Sequence, residues 1–183
     1  KMLDNKKYIP FYRSLYTEEL IQKASQINLL AFDVDGVLTD GGLYFDADGN
    51  EEKRFFAQDG HGIKIIQSIG IKTMIISGRE TGSVIHRGNE LGIEYIVQGS
   101  RDKLKSFNEQ KLSVPLQEVC FVGDDTVDID LLEKVGLSVI VPNSNALLKS
   151  LNFDWTTYRS GGNGAIRDVC DLIYFSKIIN EKA

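Results

Sequence analysis

The chain has 183 residues, enough for one domain with a sizeable core and few for two. Its 42% apolar and 26% charged residues are those of an ordinary globular protein, and a net charge of −5 excludes the basic surface that nucleic acid or an anionic membrane selects. No apolar run approaches the roughly 18 residues of a membrane span and the N-terminus has no signal-peptide core, so a cytoplasmic protein with neither membrane nor nucleic-acid partner is expected.

Residues 1–16 show no clear period. Thr17 followed by Glu18 and Glu19 opens a short helix, with acids at the positive end of its dipole, so residues 1–26 read as an accessory extension to a domain over 27–183. Leu29 to Phe32 is an apolar run that ends at Asp33, with Asp35 and Gly36 just beyond, which predicts a buried strand opening into a loop. Within 42–56, two aromatic-rich arms flank Asp46 to Asn50 and predict a β-hairpin inserted after that first strand. Asp59-Gly60-His61-Gly62 precedes a stretch from Ile63 that fits one helix ending at Gly70, and Lys72 to Ile76 reads as a buried strand stopping at Ser77-Gly78-Arg79.

Glu80 to Leu91 reads as a helix closed by Gly92, Glu94 to Val97 as a short strand and Asp102 to Leu112 as a helix. Val119 to Val122 is a strand running into Gly123-Asp124-Asp125, with a helix from Ile129 after it. A strand at 137–141, a helix at 145–151, a short extended piece at Trp155 and a last helix through Ile179 complete the chain. Strands alternating with helices predict an α/β fold, a doubly wound parallel sheet with helices on both faces. Cys120 and Cys170 fall inside apolar elements and read as buried free thiols, the pattern of a reducing compartment.

Alone, Asp33-Val34-Asp35 is as readily a solvated acidic turn as a site. The other strand ends change that balance. Ser77, the Asp102-Lys103 helix start, and Asp124 with Asp125 and Asp128 all fall at carboxyl edges, which in a doubly wound sheet converge on one crevice. Clustered carboxylates repel unless a cation sits among them, and hard oxygen ligands select Mg²⁺. A lysine and a serine hydroxyl beside them are phosphate-binding groups, so the set describes a metal-assisted phosphoryl-transfer site. The chain has no phosphate-binding loop ending in Gly-Lys-Ser/Thr and no Gly-x-Ser-x-Gly, which argues against a Walker-type ATPase and a serine hydrolase. That leaves an aspartyl-phosphate route, with Asp33 attacking phosphorus and Asp35 handling the proton.

At these residues the sequence resembles the capless haloacid-dehalogenase-like phosphatases. Asp33-Val34-Asp35-Gly36-Val37-Leu38-Thr39, Ser77-Gly78-Arg79, Lys103 and Gly123-Asp124-Asp125 match their four motifs in order. DVDGVLTDG, Lys53-Arg54-Phe55, the DGxGIK of 59–64, Arg87 ahead of Leu91-Gly92-Ile93 and GGNGAIRD at 161–168 extend the resemblance to the phosphatases of 3-deoxy-D-manno-octulosonate 8-phosphate (KDO 8-phosphate). The resemblance implies Asp33 as nucleophile, Asp35 as acid/base, and Ser77 and Lys103 on the phosphoryl oxygens. It places Mg²⁺ on Asp33, Asp124 and the Asp35 backbone carbonyl, with Asp125 and Asp128 ordering the loop. It puts substrate contacts on Asp35 and Lys103 and on Phe56, Ala57, Gln58, Asp59, Gly60, Lys64, Arg79 and Arg87. The substrate it implies is a small phosphorylated sugar acid, with a nine-carbon 9-phosphate as the neighbouring choice and a non-catalytic oligomerisation module as the reading from another class.

The gaps from Asp33 to Ser77 and from Lys103 to Asp124 leave no room for a cap domain, so something outside the subunit must cover a small substrate. The resemblance implies a homotetramer in which a neighbouring subunit closes each site. Gln58 departs from the arginine that often precedes this Asp-Gly pair. Arg79 and Arg87 are otherwise solvated helix residues, His61 and His86 read as loop and surface residues, and Gly161 to Gly164 fit either a flexible loop or an anion-binding turn.

Overall fold

A run such as Leu29-Leu30-Ala31-Phe32, with no polar interruption, is stable as a strand only where both its faces are covered. The computed structural model, which describes residues 5–180, places β1 (Leu29–Phe32) in the middle of a sheet with all four side chains fully buried. Two helices, α1 (Ile9–Leu15) and α2 (Glu18–Ser25), precede it, and the hairpin strands β2 (Tyr44–Phe45) and β3 (Glu51–Glu52) follow. Next come α3 (Ala57–Gln67), β4 (Lys72–Ile76), α4 (Gly82–Leu91), β5 (Tyr95–Val97), α5 (Lys103–Glu109) and β6 (Val119–Gly123). The chain continues through α6 (Ile129–Leu132), β7 (Leu137–Ile140), α7 (Ala146–Ser150), β8 (Trp155–Thr156) and α8 (Ala165–Asn180).

Six strands form one sheet in the order β5-β4-β1-β6-β7-β8, and every neighbouring pair is parallel. Phe32 stands opposite Ile75 of β4 and Val122 of β6, so these three central strands end at nearly the same level. Alternate residues of β1 feed two cores. Leu30 and Phe32 pack with α2, α3 and α8, while Leu29 and Ala31 pack with Phe107 of α5, Leu131 and Leu132 of α6 and Leu148 of α7.

Local signals explain the helix ends. Thr17 Oγ1 accepts from the Leu20 amide at 3.2 Å, Asp102 Oδ1 accepts from the Lys105 amide at 2.9 Å, and Gly92 closes α4 with φ +65. The Trp155 piece is a true edge strand, paired with β7. The hairpin strands are two residues each, with Leu43, Tyr44 and Phe45 exposed.

The helix α1, in a stretch without apparent period, departs from the sequence reading. Pro10 occupies its first turn, where a missing amide costs nothing, and Tyr8, Tyr12 and Tyr16 recur at every fourth residue against the large core. The Tyr12 ring stacks on Phe175 of α8 with centroids 3.5 Å apart. Residues 9–25 therefore share the domain's core, through Leu20 and Ala24 of α2. Both cysteines are free and buried. Among the described residues no helix is long and apolar enough to cross a membrane.

Candidate active site

The site begins where β1 ends. The Asp33 amide still donates to Val122 O at 3.0 Å, after which the chain leaves the sheet in a tight loop closed by Thr39 N to Val34 O at 2.9 Å. Gly36 turns that loop with φ +86, and a Cβ there would lie 2.2 Å from Asp124 Oδ2. Glycine is required both by the left-handed backbone and by the approach of the acidic loop after β6.

The far side of the loop is clasped. Asn143 Nδ2 donates to Gly36 O at 2.8 Å, Asn143 Oδ1 accepts from the Gly161 amide at 2.9 Å, and the Gly162 amide reaches Val37 O at 3.2 Å. A Cβ on Gly161 would stand 1.8 Å from Gly36 O. The glycine-rich turn before α8 is thus a clasp on the Asp33 loop.

Inside the edge, Lys103 at the start of α5 points its ammonium at Asp33 Oδ1 (3.0 Å) and Asp128 Oδ1 (2.5 Å), with its side chain only 1% exposed. Asp128 in turn accepts the Asp124 and Asp125 amides on Oδ2, at 2.9 and 3.1 Å, and so fixes the loop after β6. Oxygens of Asp33, Asp124 and Asp128 lie within 4.8 Å of one another. Burial pushes the Asp33 carboxyl up to about 6 although Lys103 pulls it down, and burial with the nearby Asp33 and Asp128 pushes Asp124 up to about 8. Burial alone would lower the Lys103 ammonium, but Asp33 and Asp128 outweigh it and hold it raised.

Lys103 neutralises part of this cluster, whereas Asp124 forms no ion pair among the described residues. Three carboxylates against one ammonium leave an excess of negative charge on hard oxygen donors, which fits a bound Mg²⁺.

With Asp128 buried beneath it, a cleft of about 340 Å³ gathers Asp33, Asp35, Ser77, Arg79, Lys103 and Asp124 from four strand ends. Ser77, at the end of β4, is buried there, and its Oγ accepts from the Arg79 amide at 3.3 Å. The Asp35 carboxylate lies apart from the three-acid group. Its Oδ1 is 2.5 Å from Nζ of Lys53, which also holds Glu51 Oε1 at 2.7 Å, and Glu51 Oε2 takes Arg79 Nη2 at 2.6 Å. Arg79 and Lys53 hold the Glu51 carboxyl below its usual range.

The remaining residues expected near a substrate are divided. Ala57 and Arg87 line an adjoining open pocket of about 610 Å³ with Lys53, Phe55, Ser83 and His86. Arg87 lies over the Phe55 ring, pairs with Glu90 at 2.6 Å and keeps Nε buried without a hydrogen bond among the described residues. Phe56 immediately precedes α3. Gln58 Oε1 accepts from Arg159 Nη1 at 2.7 Å, and buried Asp59 accepts the Arg167 amide at 2.8 Å. Gly60 packs under Arg87, and Lys64 Nζ caps α4 at Leu91 O, 2.6 Å away. None of Phe56, Gln58, Asp59, Gly60 and Lys64 lines the acidic cleft.

The chain is 42% identical to the 3-deoxy-D-manno-octulosonate 8-phosphate phosphatase KdsC of Escherichia coli (strain K12), over 87% of this chain and 85% of that protein. It belongs to the KDO 8-phosphate phosphatase family. The corresponding protein of Yersinia pestis is 37% identical over 96% of this chain and 94% of its own length. A crystal structure of the Yersinia pestis phosphatase superposes with a TM-score of 0.86 at 38% identity, covering 91% of this chain and 90% of that one. The Moraxella catarrhalis phosphatase, solved with magnesium, phosphate and KDO, gives 0.85 at 37% identity over 91% and 97% of the two chains. A family model for haloacid dehalogenase-like hydrolases also matches residues 96–164.

Within this family of phosphatases, Asp33, Asp35, Ser77, Lys103 and Asp124 stood out in the sequence because each ends a readable strand or opens a helix. Lys53, Glu51 and Asn143 did not. Lys53 sat in a recognised motif, but its contact with Asp35 spans 18 residues, and Asn143 meets Gly36 across 107. Pro142, directly after the strand run at 137–141, is the one sequence signal that makes Asn143 a loop residue near the edge.

Proposed function

We propose that the chain is a Mg²⁺-dependent phosphatase that hydrolyses KDO 8-phosphate to KDO and inorganic phosphate through an aspartyl-phosphate. The observation that carries this reading is the single cleft in which Asp33, Asp35, Ser77, Lys103 and Asp124 meet. In the first step an Asp33 oxygen attacks phosphorus, the bond from phosphorus to the sugar oxygen breaks, and Asp35 gives its proton to that oxygen. Water then attacks the phosphorus of the aspartyl-phosphate and passes a proton to Asp35, which restores Asp33 and releases phosphate. Ser77 and Lys103 hold the phosphoryl oxygens through both steps. Mg²⁺, held by Asp33, Asp124 and the Asp35 carbonyl, supplies charge neutralisation for the transferring group.

The sugar acid is met by Arg79 at the cleft and by Arg87 and Ala57 in the adjoining pocket. Gln58, Asp59 and Lys64 act through α3, which they tie to Arg159, to α8 and to α4, with Phe56 and Gly60 at its N-terminal end. The exposed Leu43, Tyr44 and Phe45 support a homotetramer in which packed hairpins let a neighbouring subunit close each site. The reaction belongs in the cytoplasm.

The test is a panel of sugar phosphates, KDO 8-phosphate and a nine-carbon 9-phosphate included, assayed for kcat/KM with Mg²⁺. A preference of at least about tenfold for KDO 8-phosphate is expected. Equal, weak activity across the panel would sink the assignment.

A further inference from the structure

The sugar phosphatase reading uses Asp35 as its proton carrier but leaves unexplained what holds that carboxylate still. Asp35 sits in the loop after β1, partly open to the cleft, on a backbone that has already left the sheet. A carboxylate there can swing out to water, and a misplaced acid loses catalysis steeply with distance. The group in contact with it does not come from the sheet. It is Lys53, just past β3 of the hairpin, with its side chain 1% exposed and its ammonium shared between Asp35 Oδ1 (2.5 Å) and Glu51 Oε1 (2.7 Å).

A buried ammonium is stable only with anionic partners, and here each partner is itself fixed. Glu51 is gripped on its other oxygen by Arg79, beyond the end of β4. The result is a chain of alternating charges, Arg79–Glu51–Lys53–Asp35, running from one strand end through the hairpin to the loop of another. Lys53 occupies one oxygen of Asp35, and Oδ2 makes no hydrogen bond among the described residues, so it remains available for the reacting oxygen.

We propose that Lys53 is a positioning residue that holds the Asp35 carboxylate in place for proton transfer to the departing sugar oxygen. The hairpin is then part of the acid/base apparatus as well as a covering element. Whatever packs against Leu43, Tyr44 and Phe45 also bears, through β3 and Lys53, on the placement of the proton donor.

This inference rests on Asp35 being the acid/base, and the experiment separates the two. Lys53→Met is compared with wild type on KDO 8-phosphate, whose alkoxide must be protonated to leave, and on p-nitrophenyl phosphate, whose phenolate leaves with little help. The readout is kcat/KM, which reports the steps through leaving-group departure. Lys53→Gln is measured in parallel, so that a folding failure of one variant leaves the other to be read, and Asp35→Asn is the reference.

The expected result is a loss of at least about 100-fold on the sugar phosphate and less than about fivefold on the aryl phosphate, in the pattern of Asp35→Asn. Equal losses on both substrates would make Lys53 a general support of the hairpin and overturn the proposal. So would a differential in Asp35→Asn with none in the Lys53 variants, which leaves the reading of Asp35 standing. No differential in any variant overturns the role of Asp35 and the proposal with it.

Discussion

Asp124 offers a quantitative test of the acidic cleft. In the metal-free protein its carboxyl is pushed up to about 8 by burial and by Asp33 and Asp128, against an ordinary value of 3.8. The folded state therefore binds this proton more tightly than the unfolded chain. Its contribution to stability is intact below the unfolded pKa and is lost as pH rises through the interval up to about 8. Between pH 6 and pH 8 that loss integrates to about 2 kcal/mol for one group, which in a chain of this size lowers Tm by roughly 4–8 °C. Mg²⁺ binds only the ionised carboxylate, so its stabilising increment should grow over the same interval.

The assay is thermal unfolding at pH 6, 7 and 8, in a chelator and at saturating Mg²⁺. Wild type should lose Tm with pH in the chelator and recover it with Mg²⁺, most of all at pH 8. Asp124→Asn should flatten the metal-free profile and abolish most of the increment. A wild-type Tm that is flat from pH 6 to 8 without metal, or an Asn variant with the full Mg²⁺ increment, would refute the reasoning about the cluster.

Asp33→Asn should lower phosphate release by at least about a thousandfold and leave no acid-stable-to-base-labile phosphoryl label on the protein, as read by rapid quench with labelled substrate. Gly161→Ala drives a methyl to within 1.8 Å of Gly36 O, so it should cost about 1–3 kcal/mol in denaturant unfolding and reduce kcat more than KM, because the Asp33 loop moves. Tyr12→Ala removes the ring stacked on Phe175 and should cost about 2–4 kcal/mol while leaving the KM for substrate unchanged within error.

The sheet was legible because a parallel strand covered on both faces must be a continuous apolar run, and Leu29–Phe32, Met74–Ile76 within β4 and Val119–Val122 are such runs. Register then carries the polar groups that follow those runs to one edge, so Asp33, Ser77 and Asp124 can be gathered from the sequence alone. The α1 helix was obscured because its partner surface is α8, about 160 residues later in the chain, and its aromatic spacing has meaning only against that surface. Contacts of Lys53 and Asn143 were illegible for a related reason. A side chain's partner is fixed by tertiary distance, and neither residue type at those positions announces which loop it will reach. Gln58 and Lys64 show the converse, since the motif carrying them was plain while their bonding to Arg159 and Leu91 was not.

The clasp around Gly36 has a consequence for synthesis. The two acids at 33 and 35 leave the ribosome early, yet the carboxamide and the glycines that seat their loop belong to Asn143, Gly161 and Gly162. At translation rates of about 5–20 residues per second, a nascent chain carries its nucleophile for several seconds before the parts that aim it exist. Phosphatase activity is therefore withheld until the segment through Gly164 has emerged and docked, and incomplete chains stopping short of it hold the chemistry without the geometry.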